Sequence, residues 1–172
     1  MPQSRRTEAL YARDRNPLSS ALAVEGMQAF AAALPKVQTA PEDLDARGET
    51  LYGAWLCGTV LGQVGMALHH KLCHTLGGSF DLPHAETHAI VPDLLAPVGA
   101  AFGGGPAGIA LHRFSAEMGA PLALKDIGLA EADLDRAADI ATRNAYWNPA
   151  AVNRDGIRRL LDAAYHGRTP GR

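Results

Sequence analysis

The sequence has 172 residues, of which 47% are apolar and 6% aromatic, and its formal net charge is −2. A chain of this length can bury roughly 70% of the surface that it exposes when unfolded, so we expect one domain with a substantial core. The weak negative charge, with no long cluster of Lys and Arg, argues against a nucleic-acid partner.

Several features argue against a membrane or secreted protein. The longest weakly polar run, residues 51–68, contains four glycines and falls short of the roughly 20 apolar residues that cross a bilayer. The start, MPQSRR, does not resemble a signal peptide. Two cysteines, Cys57 and Cys73, make no disulfide framework. We therefore expect a protein of the reducing cytoplasm with no membrane partner.

Abundant alanine and scarce aromatic residues predict close-packed helices rather than a sheet. Residues 8–12 read as the stub of a helix. Asn16 before Pro17 is a cap and first-turn pair, and it begins a longer helix that Pro35 should end. The apolar positions of this helix repeat at helical spacing: Ala23, Met27, Phe30 and Leu34.

The next three helices are predicted from capping and breaking residues. A capping box at residues 39–42 should begin the second helix, whose apolar positions are Leu44, Leu51, Trp55 and Leu56. Its glycines predict a break within residues 61–65. The third helix should cover residues 66–76 and stop at Gly77 and Gly78. The fourth should begin at Pro83 and reach about residue 95, with a kink at Pro92.

The C-terminal part begins with a glycine-rich linker at residues 96–108, followed by a short helix at residues 109–118. Two more helices are predicted from their apolar positions, and Asn153 should cap the last. The positions are Leu134, Ala137, Ala138 and Ala141, and then Ile157, Leu160, Leu161 and Ala164. No strand or internal repeat is readable. We expect an all-α helical bundle, one domain over residues 1–172, with disorder at residues 1–6 and 167–172.

Five of the seven histidines fall within residues 68–89, LHHKLCHTLGGSFDLPHAETHA. His70 and His74 are four residues apart in a predicted helix, so their rings lie on one face about one turn from each other. His84 and His88 repeat this spacing on the next helix. A helix, a sharp turn and a second helix can bring His70, His74 and His84 to one point, where neutral rings can bind one metal cation.

A second interpretation of the cluster stays open, because a histidine on an apolar helix is often only a hydrogen-bonded, half-buried side chain. The density of the cluster as a whole favours a site. No Glu lies between the first pair, so the zinc-protease pattern is absent. Cys73 lies off the shared face of His70 and His74, and a buried apolar cysteine is expected there.

The chain resembles the iron-containing alcohol dehydrogenase family, and most closely its maleylacetate reductase branch. The resemblance rests on EALYARDRNP near the start, on LYGAWLCGTVLGQVGMALHHKLCHTLGG, on LPHAETHA, and on NP, DGIRRLLDAA and HGR near the end. The histidine motif is specific, and the other segments support it. HAETHA indicates the reductase branch, because a glycine usually follows this histidine in the alcohol dehydrogenases.

This resemblance implies an oxidoreductase that reduces maleylacetate, a small dicarboxylate, to 3-oxoadipate with NADH or NADPH in aromatic catabolism. By motif, His70 and His84 match the last two of the four ligands, one Asp and three His, that hold iron or zinc. His74 matches the histidine that lies beside the nicotinamide. Lys71 is a candidate for binding a substrate carboxylate, although a lone lysine is more often a solvated surface charge.

The resemblance also implies departures from the family. The first two metal ligands should fall at Met1 and Arg5, which cannot bind the cation, so Glu86 or His88 would have to help. No phosphate loop of a nucleotide-binding domain is present. We expect a truncated copy of the all-helical C-terminal half, completed by a separate nucleotide-binding chain or a homodimer. The alternative is a non-catalytic helical module that binds metal or a partner.

Overall fold

The computed structural model describes residues 8–90, 107–143, 146–149 and 151–169. Its α-helices are α1 (Pro17–Thr39), α2 (Leu44–Leu61), α3 (Leu68–Phe80), α4 (His84–Ile90), α5 (Ala107–Glu117), α6 (Leu134–Thr142) and α7 (Arg154–Tyr165). Two short 3-10 helices, Leu124–Ile127 and Glu131–Asp133, precede α6. No β-strand occurs in these ranges. The expected all-α class is confirmed.

Helix α1 begins as predicted and ends later than predicted. The Asn16 side chain accepts the backbone N–H of Ser19 at 2.9 Å, and the Ser19 hydroxyl accepts the N–H of Asn16 at 3.0 Å. The prediction that Pro35 ends the helix is wrong, because α1 continues to Thr39. Proline removes its own N–H donor from the ladder and crowds the carbonyl four residues earlier, but the helix continues past it. The Thr39 hydroxyl donates to the carbonyls of Pro35 and Lys36 at the end of the helix.

The start of α2 also differs from the prediction, since the capping box at residues 39–42 does not form. Asp43 is the N-cap instead, and its carboxylate accepts the N–H groups of Asp45 at 3.0 Å and Ala46 at 3.1 Å. A side-chain oxygen one residue before the helix satisfies donors that have no partner inside the helix. The predicted break is confirmed, because α2 ends at Leu61.

The apolar residues of α2 lie on two opposite sides of the helix. Among the four apolar positions singled out above, only Leu56 is buried; Leu44, Leu51 and Trp55 are 77%, 70% and 65% exposed. The buried side packs on α1, and it consists of Ala46, Gly53, Leu56, Cys57 and Val60. The exposed apolar side has no counterpart in the prediction.

Two glycines allow α1 and α2 to pack closely. A Cβ atom on Gly53 would lie 3.0 Å from the Phe30 ring and 3.2 Å from the carbonyl oxygen of Gly26. A Cβ atom on Gly26 would lie 2.9 Å from Cys57 Sγ. Because no larger side chain fits at these points, the two helices form a tight hairpin across the short loop at residues 40–43.

Helix α3 runs through Gly77 and Gly78, so the prediction that these glycines stop it is wrong. A glycine inside a helix costs only about 1 kcal/mol relative to alanine, which packing can offset. The helix ends at Phe80, where Asp81 adopts a left-handed conformation with φ 53° and its N–H bonds to the Leu76 carbonyl. Helix α4 then starts directly after Pro83, as predicted.

The main core lies between α3, α4, α6 and α7 and holds α3 and α4 in place. The predicted helices at its centre are confirmed, and Asn153 caps α7 by accepting the Gly156 N–H at 2.8 Å. The largest buried contributors are Leu72, Leu76, Leu124, Leu134 and Leu161. Within the described ranges, no helix is both long enough and apolar enough to cross a membrane.

Three predictions fall wholly or largely outside the described residues: disorder at residues 1–6, the kink at Pro92, and the linker from residue 96 to residue 106. The short helix expected after the linker is present as α5. At the C-terminus the described part reaches residue 169, and the Arg168 guanidinium donates to the Asp162 carboxylate at 2.7 Å.

Candidate active site

The carboxylate of Glu8 anchors the start of α3. Glu8 is 2% exposed, and it accepts the backbone N–H of Ala67 at 3.1 Å and that of His70 at 2.9 Å. These N–H groups have no partner inside the helix, and an anion is favoured where they point. A second carboxylate, Asp14, accepts the Gly65 N–H at 2.9 Å on the exposed side of the same loop. Together they fix the segment that leads into α3.

Glu8 also holds the His70 ring by a close contact between its Oε2 and ring Nδ1. Burial works to raise the pKa of Glu8, but the hydrogen bonds and charge of His70 outweigh it, so the pKa of this carboxyl lies below its usual value. The ionised carboxylate therefore accepts a proton at Nδ1. In a neutral ring the lone pair then lies on Nε2.

The Nε2 atom of His70 is buried and has no hydrogen-bond partner among the described residues. A buried polar atom without a partner is costly unless something binds it. A carboxylate on one ring nitrogen and an open second nitrogen is the arrangement found at metal-binding histidines. His70 therefore has the chemistry of a metal ligand.

The His88 ring lies at the centre of the histidine cluster. Its Nδ1 lies 3.0 Å from His69 Nε2, and its centroid lies 5.1 Å from that of His70 and 4.3 Å from that of His84. His88, His70 and His69 are all buried. His70 and His84, which the sequence assigned as the metal pair, thus flank a common neighbour.

His74 and His84 form the outer, exposed edge of the cluster. Their rings stack with centroids 6.3 Å apart, and the His70 ring lies 5.9 Å from that of His74. The Tyr146 ring meets His74 edge-on at 6.4 Å, and the Lys71 ammonium lies 5.4 Å from the Tyr146 centroid. The outer edge therefore combines a cation, a phenol and two imidazoles.

A separate triad lies on the inner side of the cluster. Cys73 Sγ lies 3.5 Å from His69 Nε2, and these two atoms and a ring nitrogen of His88 all lie within 4.8 Å of one another. The expectation that Cys73 is buried in the apolar core is confirmed, since it is 0% exposed and packs in the main core. Its contact with His69 was not predicted.

The described residues fit a metal ion only in part. His70 offers a buried nitrogen, and His84 offers a second imidazole on the other side of His88. Iron and zinc sites need three or four protein ligands. Within the described ranges, the set of three or more closely spaced ligand atoms is the inner triad, which does not include His70 or His84.

Sequence reasoning missed Glu8, His69 and Tyr146 as members of the site. Glu8 looked like an ordinary charge on a helix stub, yet it lies 62 residues from His70 in sequence and touches it in space. His69 was adjacent to the predicted pair but on another helix face. The one available signal for Glu8 was an acidic residue within an otherwise apolar turn, which is too common to single it out.

Comparison with known proteins identifies the family of this chain. The model of the Fe-containing alcohol dehydrogenase family, C-terminal, matches residues 5–97. A maleylacetate reductase from Rhizobium sp. (strain MTP-10005) is 56% identical over 95% of the chain and 50% of its own length. The crystal structure of a maleylacetate reductase from Agrobacterium tumefaciens superposes with a TM-score of 0.94 at 52% identity, covering 98% of this chain and 51% of that one.

A more distant similarity reaches the alcohol dehydrogenases. The crystal structure of an iron-containing alcohol dehydrogenase from Corynebacterium glutamicum is 36% identical with a TM-score of 0.87, and the match covers 95% of this chain and 49% of that one. The chain thus spans about half the length of the curated relatives it matches.

Proposed function

Because this chain belongs to the Fe-containing alcohol dehydrogenase family, we propose that it is the C-terminal helical half of a maleylacetate reductase. The reaction is the reduction of a small dicarboxylate, maleylacetate, by NADH or NADPH. The observation that carries the proposal is His70, whose Nδ1 is held by the buried Glu8 while Nε2 stays open. Identity of 56% to the Rhizobium enzyme supports the choice of substrate.

The histidines have separate roles in this proposal. His70 and His84 hold the iron or zinc ion, together with ligands from outside the described residues. Such an ion, when bound, polarises an oxygen of the substrate. His74, on the exposed edge beside His84, contacts the nicotinamide.

Lys71 binds a substrate carboxylate through its charge. The Tyr146 ring lies 5.4 Å from the Lys71 ammonium and fixes it by a cation–π contact. Because Tyr146 also meets the His74 ring, the lysine is held on the side of the cluster where His74 is exposed. A carboxylate bound there would orient the substrate toward the nicotinamide, and orientation of this kind lowers the barrier of a hydride transfer.

The proposed activity requires a nucleotide-binding half, which would hold the cofactor against the exposed edge of the histidine cluster. The test is a chimera in which this chain replaces the corresponding half of the Rhizobium sp. enzyme. We expect maleylacetate-dependent loss of NADH absorbance. His70→Ala should abolish it, whereas His166→Gln, an exposed histidine on the last turn beyond α7, should leave it unchanged. A folded chimera that binds NADH without turnover would contradict the proposal.

A second candidate function is metal binding without catalysis, and the inner triad favours it. His69 and Cys73 are four residues apart on α3, and the His69–His88 and His69–Cys73 separations of 3.0 and 3.5 Å are close to ligand spacings around tetrahedral zinc. Calorimetric titration with zinc distinguishes the two candidates. Loss of binding in Cys73→Ser with retention in His70→Ala supports the triad, and the reverse supports the His70 site.

A further inference from the structure

Helix α2 carries a continuous exposed row on the side opposite α1. The row consists of Leu44, Gly48, Leu51, Trp55 and Gly58 of α2 and of Gly62, its C-cap, and every one of these residues is exposed. Their spacings alternate between four and three residues, which is the pattern of a helix seam that packs against another helix. We call this row the α2 seam.

We propose that the α2 seam pairs antiparallel with the α2 seam of a second copy of this chain. The positions of the seam residues are symmetric about residue 53, since residues 44 and 62, 48 and 58, and 51 and 55 lie equally far from it. Antiparallel pairing about this centre places Leu44 against Gly62, Gly48 against Gly58, and Leu51 against Trp55 of the other copy. Each bulky end residue thus meets a glycine, and each pair occurs twice around a two-fold axis.

The glycines in the seam are open to a neighbour. A Cβ atom added to Gly48 or Gly58 would meet nothing within 4 Å. Neither glycine is therefore required by packing inside one copy, although each weakens the helix by about 1 kcal/mol relative to alanine. Small residues that face each other let two helix backbones approach closely. At an interface between two copies, these glycines would therefore allow the two α2 helices to pack against each other.

The charges of α2 favour the antiparallel arrangement over the parallel one. Asp45, Arg47 and Glu49 lie in its N-terminal half, and residues 50–61 carry no formal charge. Arg47 is the charged residue nearest the seam, and parallel pairing would place it beside Arg47 of the other copy. Antiparallel pairing places it beside an uncharged half and sets each helix N-terminus near the other's C-terminus, which is electrostatically favourable.

The exposed area is enough for a specific contact. Tyr52, whose ring lies 6.2 Å from that of Trp55, flanks the seam and is 41% exposed. An aromatic side chain offers roughly 150–250 Å², so Leu44, Leu51, Tyr52 and Trp55 together expose roughly 500 Å² per copy. Two copies would bury on the order of 1,000 Å², the lower end for a specific interface, so we expect a dimer that dissociates on dilution.

Sedimentation equilibrium of the full chain over a range of concentrations tests the proposal. Wild type should pass from the 18.1 kDa monomer to a species of twice that mass as concentration rises. Gly58→Lys should weaken dimerisation at least about tenfold, because the new side chain has room in one copy but blocks the other. The matched control is Gly78→Lys on α3, where an added Cβ also meets nothing within 4 Å and dimerisation should be unchanged.

Cysteine cross-linking tests the register. Under mild oxidation, a mixture of Leu44→Cys and Gly62→Cys chains should form a disulfide between the two different chains in preference to either homodimer. A Leu44→Cys homodimer instead would indicate parallel pairing. Wild type that stays monomeric at all concentrations, or a dimer that survives Gly58→Lys, overturns the proposal. None of these outcomes depends on the proposed reductase activity.

Discussion

Glu8 accepts both the backbone N–H and the ring Nδ1 of His70, a residue 62 positions further along the chain. One buried carboxylate thus anchors the start of helix α3 and also fixes the orientation of the ring whose Nε2 is buried without a hydrogen-bond partner among the described residues. Because the two tasks share one side chain, the geometry of His70 depends directly on the first described turn of the chain.

Glu8→Gln should lower the free energy of unfolding by about 2–3 kcal/mol, because an amide cannot satisfy the donors of Ala67 and His70 as the carboxylate does. Urea denaturation measures the change. The matched control is Asp14→Asn, since Asp14 caps the same loop from its exposed side and should change stability by less than about 1 kcal/mol. Equal losses in the two variants would contradict the assigned role of Glu8.

The lowered pKa of Glu8 predicts how stability depends on pH. The folded state binds this proton less readily than the unfolded chain, whose carboxyl has the ordinary pKa of 4.5. The stabilisation from Glu8 is therefore complete above pH 4.5, and it is lost as pH falls through the lower pKa of the folded state. Unfolding free energies measured across this range should fall more steeply for wild type than for Glu8→Gln. Parallel curves would show that the folded and unfolded pKa values are equal.

Gly53→Ala should destabilise the chain by about 1–3 kcal/mol, because the new methyl group would press on the Phe30 ring and the Gly26 carbonyl between α1 and α2. Gly78→Ala on α3 should instead raise the free energy of unfolding by up to about 1 kcal/mol, since its Cβ meets nothing within 4 Å and alanine favours the helix. Thermal unfolding of both variants gives the comparison. A stabilised Gly53→Ala protein would mean that the two helices are not closely packed.

Lys71→Met in the chimera should raise KM for maleylacetate about tenfold or more while kcat changes little, because the lysine would bind a substrate carboxylate that does not react. Tyr146→Leu should have a smaller effect of the same kind, since Tyr146 positions the lysine and does not itself bind the substrate carboxylate. The control is Lys125→Met in the 3-10 helix, which is exposed. Steady-state kinetics measures kcat and KM separately. A decrease in kcat with no change in KM would show that Lys71 does not bind the substrate carboxylate.

The sequence predicted most of the helices because their signals are local. The Asn16 and Asn153 caps and the apolar spacing of the last two helices depend on neighbours within a few residues. The errors arose where packing overrode a local preference. Pro35 and Gly77 both disfavour a helix, yet α1 and α3 continue past these residues because the packing of each helix offsets the local cost.

The site was predictable only as a list of histidines on two helices. The histidine spacing predicted that His70, His74 and His84 approach one another, since i and i+4 positions share a helix face, but it did not predict that His88 lies between His70 and His84. The spacing could not show which histidine rings are buried, because the orientation of α3 depends on a residue far from it in the sequence. Glu8 does that from a segment separated from α3 by the whole α1–α2 hairpin.

The hairpin of α1 and α2 is closed at its base by Glu8 and Asp14, which bind the segment leading into α3. Its far tip at residues 40–43 has no part in aligning His70. The chain can therefore accept extra residues at this tip, where Pro41 and Glu42 are exposed, without moving the histidine. A fluorescent or affinity label inserted there would report on the folded protein while leaving the histidine cluster in place.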